Sequence, residues 1–436
     1  MSDRETWTTR LGFILAAVGS AVGLGNVWRF PFQTATNGGA AFLVVYLVAV
    51  LVIGLPAILA EFVVGRRAET SAIGAFERLG YGKWRAVGAL GVFAGFWTLS
   101  YYSVVGGWVI RYVGESVVGG YGSNPETFFG SVSAGPEAIA FHALFMLLTV
   151  AIVAFGIQGG IERATTLMVP AVVLILVGLA GYGATLAGSA EAYDYFLTPD
   201  FGVIVENASS VVPAAVGQAM FSLSLGFAVM ITYASYVGDD DSLSVDGVSI
   251  AVTNTAIGLL AGLVVFPLLF TQGVAPDTSG PGAVFIAVPT ALINFGVAGR
   301  AVGVAFFLVV LIAALSSAIS LLEVVVSYLV DSHGLARKPT ALALGTLLFL
   351  LGLPSAWSTD WLGWFDSVAV NLYLPIAVLL IVFFVGWVLA DDAVAELRNG
   401  AGGTTRALAP VWLWSLRTVV LLAVLGTVAL SLTSLT

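Results

Sequence analysis

Runs of about 20 residues built from Leu, Val, Ala, Ile, Phe and Gly, almost without charge, recur from near residue 11 to near residue 433. Each is long enough to cross the hydrocarbon of a bilayer as a helix, which rises about 1.5 Å per residue. No water reaches the peptide groups there, so the backbone must satisfy itself. A continuous rather than alternating apolar run does that as an α-helix. Windows at about 11–36, 40–64, 86–117, 138–156, 164–187, 210–236, 248–271, 300–330, 340–354, 363–390 and 411–433 read as helices. The expected fold class is an all-α integral membrane protein of about 11 transmembrane helices. A stretch near 281–297 is amphipathic and expected as a hairpin outside the membrane. Only 9% of residues are charged, against about 25% in a soluble domain, so counting soluble domains by length does not apply.

Catalytic chemistry has little to work with. There is no Cys, His142 and His333 lie far apart, and HExxH, Walker and GxSxG motifs are absent. A membrane metalloenzyme or an ATP-driven pump is poorly supported. The expected partners are the lipid bilayer and a small molecule, with no nucleic acid. Net charge is −9, and only Lys83 and Lys338 are lysines, which suits a salt-rich cytoplasm. Lys and Arg concentrate in cytoplasmic loops. With the N-terminus inside, Arg4, Arg10, Arg66, Arg67, Arg78, Lys83, Arg85, Arg163, Arg337, Lys338, Arg398 and Arg406 fall on the cytoplasmic side, and Arg417 begins the last helix there. Only Arg29, Arg111 and Arg300 fall in the outer half. A multi-pass protein of the plasma (inner) membrane is expected, its N-terminus cytoplasmic and, after an odd number of crossings, its C-terminus outside.

Two helices are interrupted at corresponding places. The first, LGFILAAVGSAVGLGNVWRFPF, holds Gly19, Gly23, Gly25 and Asn26 in its middle. The sixth, VPAAVGQAMFSLSLGFAVMITYASY, holds Ser222, Ser224 and Gly226. Glycine weakens a helix by about 1 kcal/mol relative to Ala. Unwound backbone at membrane depth survives only where it lines a cavity, and such breaks in corresponding positions of two halves mark the substrate site of an inverted-repeat carrier. Each broken helix opens a set of five. A 5+5 inverted repeat in a single transporter domain is expected, with repeats at about 8–190 and 208–391 and an extra helix at 411–433.

WTTRLGFILAAVGSAVGLGNVWRFPF, NGGAAFLVVY, LAEFVVGRR, GIERATTLMVP, GQAMFSLSLGFAVMITYASY and ALSSAISLLE resemble the sodium:neurotransmitter symporter family, in its prokaryotic amino-acid transporter branch with the leucine-transporter fold. The resemblance runs helix for helix over nearly the whole chain. It implies no enzyme but a sodium-coupled symporter of a neutral, hydrophobic α-amino acid working by alternating access, with two sodium ions. One ion would take the Ala21 carbonyl, Asn26, Ser222, Asn254 and the substrate's carboxylate. The other would take carbonyls of Gly19, Val22 and Ala313 with the hydroxyls of Ser316 and Ser317. Sodium is a hard cation suited to such oxygens. The substrate would lie among Ser20, Ala21, Gly23, Gly25, Thr98, Tyr102, Phe221, Ser222, Ser224, Phe227, Ser317 and Leu321. Tyr102 would donate to its carboxylate. Gly23 stands where monoamine carriers have aspartate and so leaves room for that carboxylate.

The same resemblance implies an outer gate of Arg29 and Asp366, closed beneath by Tyr102 and Phe221. An inner gate would pair Arg4 with Asp331, beside Trp7, Ser235 and Tyr236. Glu61 would hold broken backbone of the sixth helix. Gly160 and Pro170, separated by nine residues, would let the fifth helix unwind inward. Glu323, about two turns below Ser316, gains no role from the sequence. Tyr46, Gln218, Ser222 and Asn254 would suit a chloride, but Gly258 stands where chloride-dependent relatives carry a hydroxyl and others an acid, which leaves chloride open. Three other readings stand beside this one: a carrier of the same build for another solute, a membrane receptor that binds without translocating, and a channel.

Overall fold

In the computed structural model, residues 6–119, 121, 124–238, 240–274 and 283–434 are described. Among the described residues nine helices are long and apolar enough to cross a membrane unbroken: Ala40–Ala68, Gly82–Val118, Pro136–Val153, Ile157–Ala184, Leu243–Thr271, Gly296–His333, Arg337–Trp357, Thr359–Arg398 and Gly403–Leu430. Two more crossings are broken. Arg10–Ala21 and Gly25–Thr36 form one span bent by 47°. Ala208–Ser222 and Val229–Ala234 form the other. Counting each broken pair as one span gives eleven in chain order among the described residues, the first and sixth broken. The loops rich in Arg and Lys share one face of the bundle, called here the basic face. The expected hairpin begins outside the described residues; its described part is a helix, Ala283–Ile293, leading into the eighth span.

Local chemistry sets the ends and breaks. Thr9 caps the first span, its hydroxyl accepting from Gly12 N at 2.9 Å. The helix stops where Val22 turns to φ −80°, ψ 82°, ahead of Gly23. In the sixth span the break holds three residues in the left-handed region, Ser224 (φ 54°), Gly226 (φ 77°) and Ala228 (φ 59°). Glycine takes this conformation freely, whereas Ser and Ala are strained by about 1–3 kcal/mol each. Surrounding contacts must offset that strain, and all three residues are buried.

The broken spans lie at the centre. The first packs on the fifth, seventh and eighth, the sixth on the second, and the third lies along the eighth. Small residues bring the backbones together. A Cβ on Gly25 would lie 2.9 Å from the Phe221 ring, so the second half of the first span presses directly on the sixth. In the fifth span the sharp feature is Gly156 (φ 84°), followed by a wide π turn over Ile157–Glu162 that contains Gly160. The helix then runs unbroken through Pro170. In this conformation the Gly160–Pro170 segment is wound, not opened.

Candidate functional site

The two breaks face each other and enclose a cavity of about 20 Å³, lined by Ser20, Ala21, Gly23, Gly25, Thr98, Tyr102, Phe221, Ser224, Phe227, Ser317 and Leu321. Of the residues expected around the substrate, only Ser222 lies off this wall; its hydroxyl meets Tyr46 Oη at 3.1 Å instead. Leu24 N donates to Tyr102 Oη at 3.0 Å, so the tyrosine already serves freed backbone. Ser224 Oγ donates to the Ser20 carbonyl at 2.9 Å and Ser317 Oγ to the same carbonyl at 2.8 Å. Thr98 is buried on the same wall. At Gly23 a Cβ would lie 2.7 Å from Tyr102 Oη and closer still to Ser317 Oγ, so only glycine fits. The cavity thus has carbonyl ends of one half-helix on one side and the N-terminus of the next half-helix on the other. The first attracts an ammonium and the second a carboxylate.

Beside it lies a set of oxygens. Asn26 Nδ2 donates to Asn254 Oδ1 and to the Asn254 carbonyl, both at 2.8 Å. The same end of the Asn254 amide lies 2.9 Å from the Ser222 carbonyl and 3.2 Å from the Ala21 carbonyl. With its oxygen there, three acceptors converge, and the Asn26 N–H serves only the amide oxygen among them. Turning the amide would place an –NH₂ toward the two carbonyls, at the cost of opposing the Asn26 N–H group. A small hard cation between the oxygens satisfies the convergence without that conflict, so this donor set fits sodium. No cluster of three or more His, Cys, Asp or Glu occurs among the described residues.

The second expected ion site is assembled in part. Ser317 Oγ lies 3.4 Å from the Gly19 carbonyl, and a Cβ on Gly19 would touch Ser316 Cβ at 3.4 Å. Ser316 Oγ donates to the Ala313 carbonyl at 2.9 Å, an ordinary helical back-bond that an ion would have to replace. Val22, off the helical path, has its amide bonded to Val18.

Contacts cross the path on both sides of the cavity. Away from the basic face, Arg29 Nη1 lies 3.7 Å from Asp366 Oδ2 and its guanidinium stands 5.0 Å over the Phe221 ring. Tyr101, which the sequence did not single out, donates to Asp366 Oδ1 at 3.0 Å. On the basic face Arg4 lies outside the described residues, so its pairing with Asp331 is not described. Trp7 Nε1 donates to the Tyr233 carbonyl at 3.0 Å, and its ring meets Tyr233 and Tyr236 edge-on. Ser235 Oγ donates to the Thr232 carbonyl at 2.6 Å. Tyr236 Oη donates to Glu323 Oε1 at 3.3 Å, and Arg337 forks onto the same carboxylate at 2.6 and 2.9 Å. Glu323 is therefore the acid that ties the sixth, eighth and ninth spans together beneath the cavity. Glu61 Oε1 accepts from Gly226 N at 2.7 Å, within the break of the sixth span.

Three further ties were not read from the sequence. Glu162 accepts from Thr8 N at 2.9 Å and Thr9 N at 3.2 Å, strapping the start of the first span to the fifth. Arg10 Nε donates to Asp246 Oδ1 at 2.8 Å. Arg66, fully buried, meets Glu396 Oε1 at 2.5 Å and the Asp241 carbonyl at 2.6 Å. The signal available was a charged residue in an apolar run, but its partner lies over 150 residues away.

The sodium:neurotransmitter symporter family model matches residues 4–121 and 134–436. A sodium-dependent transporter of Bacillus subtilis, YhdH, is 34% identical over 98% of this chain and 97% of its own. A sodium-dependent transporter of Methanocaldococcus jannaschii is 35% identical over 91% and 84%. Among solved structures, MhsT in complex with L-phenylalanine superposes with a TM-score of 0.88 at 40% identity, covering 98% of this chain and all 100% of that one. With a match of that extent and oxygen-lined breaks in the first and sixth spans, the chain belongs to the sodium:neurotransmitter symporter family and is a multi-pass, sodium-dependent transporter of a small molecule rather than an enzyme.

Proposed function

We propose that the protein carries a neutral, predominantly hydrophobic α-amino acid into the cell together with two sodium ions, by alternating access. The observation that carries this reading is the convergence of Asn254 Oδ1, the Ser222 carbonyl and the Ala21 carbonyl beside a cavity with carbonyls at one side and a helix N-terminus at the other. An α-amino acid matches both poles at once. Its carboxylate would reach the first ion and complete its shell. Phe227 and Leu321 offer an apolar wall to its side chain. A solved relative at 40% identity holds L-phenylalanine, which supports the same substrate class here.

In this reading the two sets of five spans, about 8–190 and 208–391, are inverted repeats that rock about the site, and the basic face is cytoplasmic. The second ion, at Ser316 and Ser317, pins the first span to the eighth. Arg29 with Asp366 closes the outer path, and the Trp7–Tyr233–Tyr236 cluster with Glu323–Arg337 closes the inner one. Gating contacts on both sides favour a carrier over a channel. The deciding measurement is uptake of a mixture of the twenty amino acids into proteoliposomes under an inward sodium gradient, read by mass spectrometry. Accumulation of one or a few neutral members, abolished when the gradient is removed, is the expected result. Binding without accumulation would instead favour a receptor, and accumulation that follows protons alone would overturn the sodium assignment.

A further inference from the structure

Arg417 lies within a π turn of the last span, Leu416–Val420, beside a second π turn of the tenth, Phe384–Leu389. Its Nε donates to the Gly386 carbonyl at 2.6 Å. Gly386 has no side chain to obstruct this approach; a Cβ there would already touch Arg417 Cγ at 3.5 Å. The guanidinium carbon stands 5.2 Å from the ring centroids of both Trp387 and Trp414. Those two indoles are 52% and 59% exposed on the outside of the bundle, where lipid lies. The charge is thus held at the lipid boundary between two aromatic walls.

That charge has no counter-ion among the described residues. Among the described residues Arg417 enters no ion pair, and its two Nη groups donate to no protein acceptor. An unpaired cation on a lipid-facing surface is costly unless it reaches the headgroups. The depth is right for that. Trp387 precedes Asp391 by one helical turn, about 6 Å, so the cluster sits just inside the basic face. Trp is favoured at that level of a bilayer.

We infer that Arg417, Trp387 and Trp414 form a binding site for an anionic phospholipid in the leaflet at the basic face. The Nη groups donate to the phosphodiester, the Nε bond to Gly386 fixes the fork, and the indoles flank the headgroup. The acyl chains lie along the tenth and last spans.

The test uses the purified full chain, delipidated in a non-ionic detergent. Phosphatidylglycerol or phosphatidylcholine is titrated, with bound lipid counted by native mass spectrometry and thermal unfolding followed in parallel. Phosphatidylglycerol binds the wild type and raises its Tm, and Arg417→Gln weakens that binding about fivefold, as expected for the removal of one interfacial arginine. Trp387→Leu, which leaves the Arg417–Gly386 bond in place, also weakens it and guards against a folding defect in the first variant. Undiminished phosphatidylglycerol binding in both variants overturns the site. Equal binding of phosphatidylcholine overturns its preference for anionic lipid, and an equal Tm rise with inorganic phosphate overturns the assignment to lipid.

Discussion

Gly23→Ala offers a sharp test of where the substrate lies. The added methyl would stand 2.7 Å from Tyr102 Oη and nearer still to Ser317 Oγ, below any separation a real Cβ tolerates. Neither neighbour can retreat freely. Tyr102 Oη accepts from Leu24 N at 3.0 Å, and Ser317 Oγ donates to the Ser20 carbonyl at 2.8 Å. Overpacking of this kind costs about 1–3 kcal/mol, and each displaced hydrogen bond about 0.5–1.5 kcal/mol more. The sum, about 2–6 kcal/mol, weakens amino-acid binding by a factor of about 30 to about 25,000 where the substrate must share the space. Ser317→Ala removes the nearest obstacle, so the double variant Gly23→Ala/Ser317→Ala recovers part of the loss. The assay is equilibrium binding of labelled substrate at saturating sodium for wild type, both single variants and the double, arranged as a double-mutant cycle. Wild-type affinity in Gly23→Ala, or strict additivity in the cycle, would refute this placement of the pocket.

Asn26→Ala removes the amide that bridges to Asn254, so sodium and substrate affinities fall together; a sodium titration of substrate binding at two substrate concentrations shows whether their mutual enhancement shrinks by the same factor in both directions, as linkage requires. Ser316→Ala takes one hard oxygen from the proposed second ion site, raising the sodium concentration for half-maximal uptake severalfold while changing the rate at saturating sodium less; an unchanged sodium curve would remove Ser316 from the site. Replacing chloride by gluconate leaves uptake unaltered, because Gln218 Nε2 is already committed to the Gly25 carbonyl at 2.8 Å and Gly258 offers no hydroxyl; a marked drop in transport would count against this reading of Gln218.

How much could be read from the chain depended on how far apart the cooperating residues lie. The breaks of the first and sixth spans were legible because glycine and serine interrupt otherwise continuous apolar runs. The wall formed by Ser20, Gly23, Tyr102, Ser224, Phe227 and Ser317 was legible because motifs long enough to be specific carry it. Glu323 was visible as a buried acid but without a partner, since nothing local says that Arg337 turns back toward it. Glu162 reads as one of many charges at a helix start, yet its carboxylate caps a helix 150 residues earlier in the chain. Gly160 and Pro170 mark where the fifth helix would unwind inward; in this conformation they lie in a π turn and a continuous helix, behind a sharp backbone turn at Gly156 that their spacing does not announce. Spacing alone does not say which of several glycines takes the turn.

The strap from Glu162 to the start of the first span also provides a built-in clock. Thr8 and Thr9 give their backbone N–H groups to that carboxylate, and Gly12 leaves the room it needs. In the proposed alternating-access cycle those two hydrogen-bonded amide protons exchange slowly while the first span stays against the fifth and faster once it swings away. Their exchange with deuterium therefore reports how often the basic face opens, without any probe attached to the protein. Compared with and without sodium, that rate would give the free energy by which the ions hold the carrier shut.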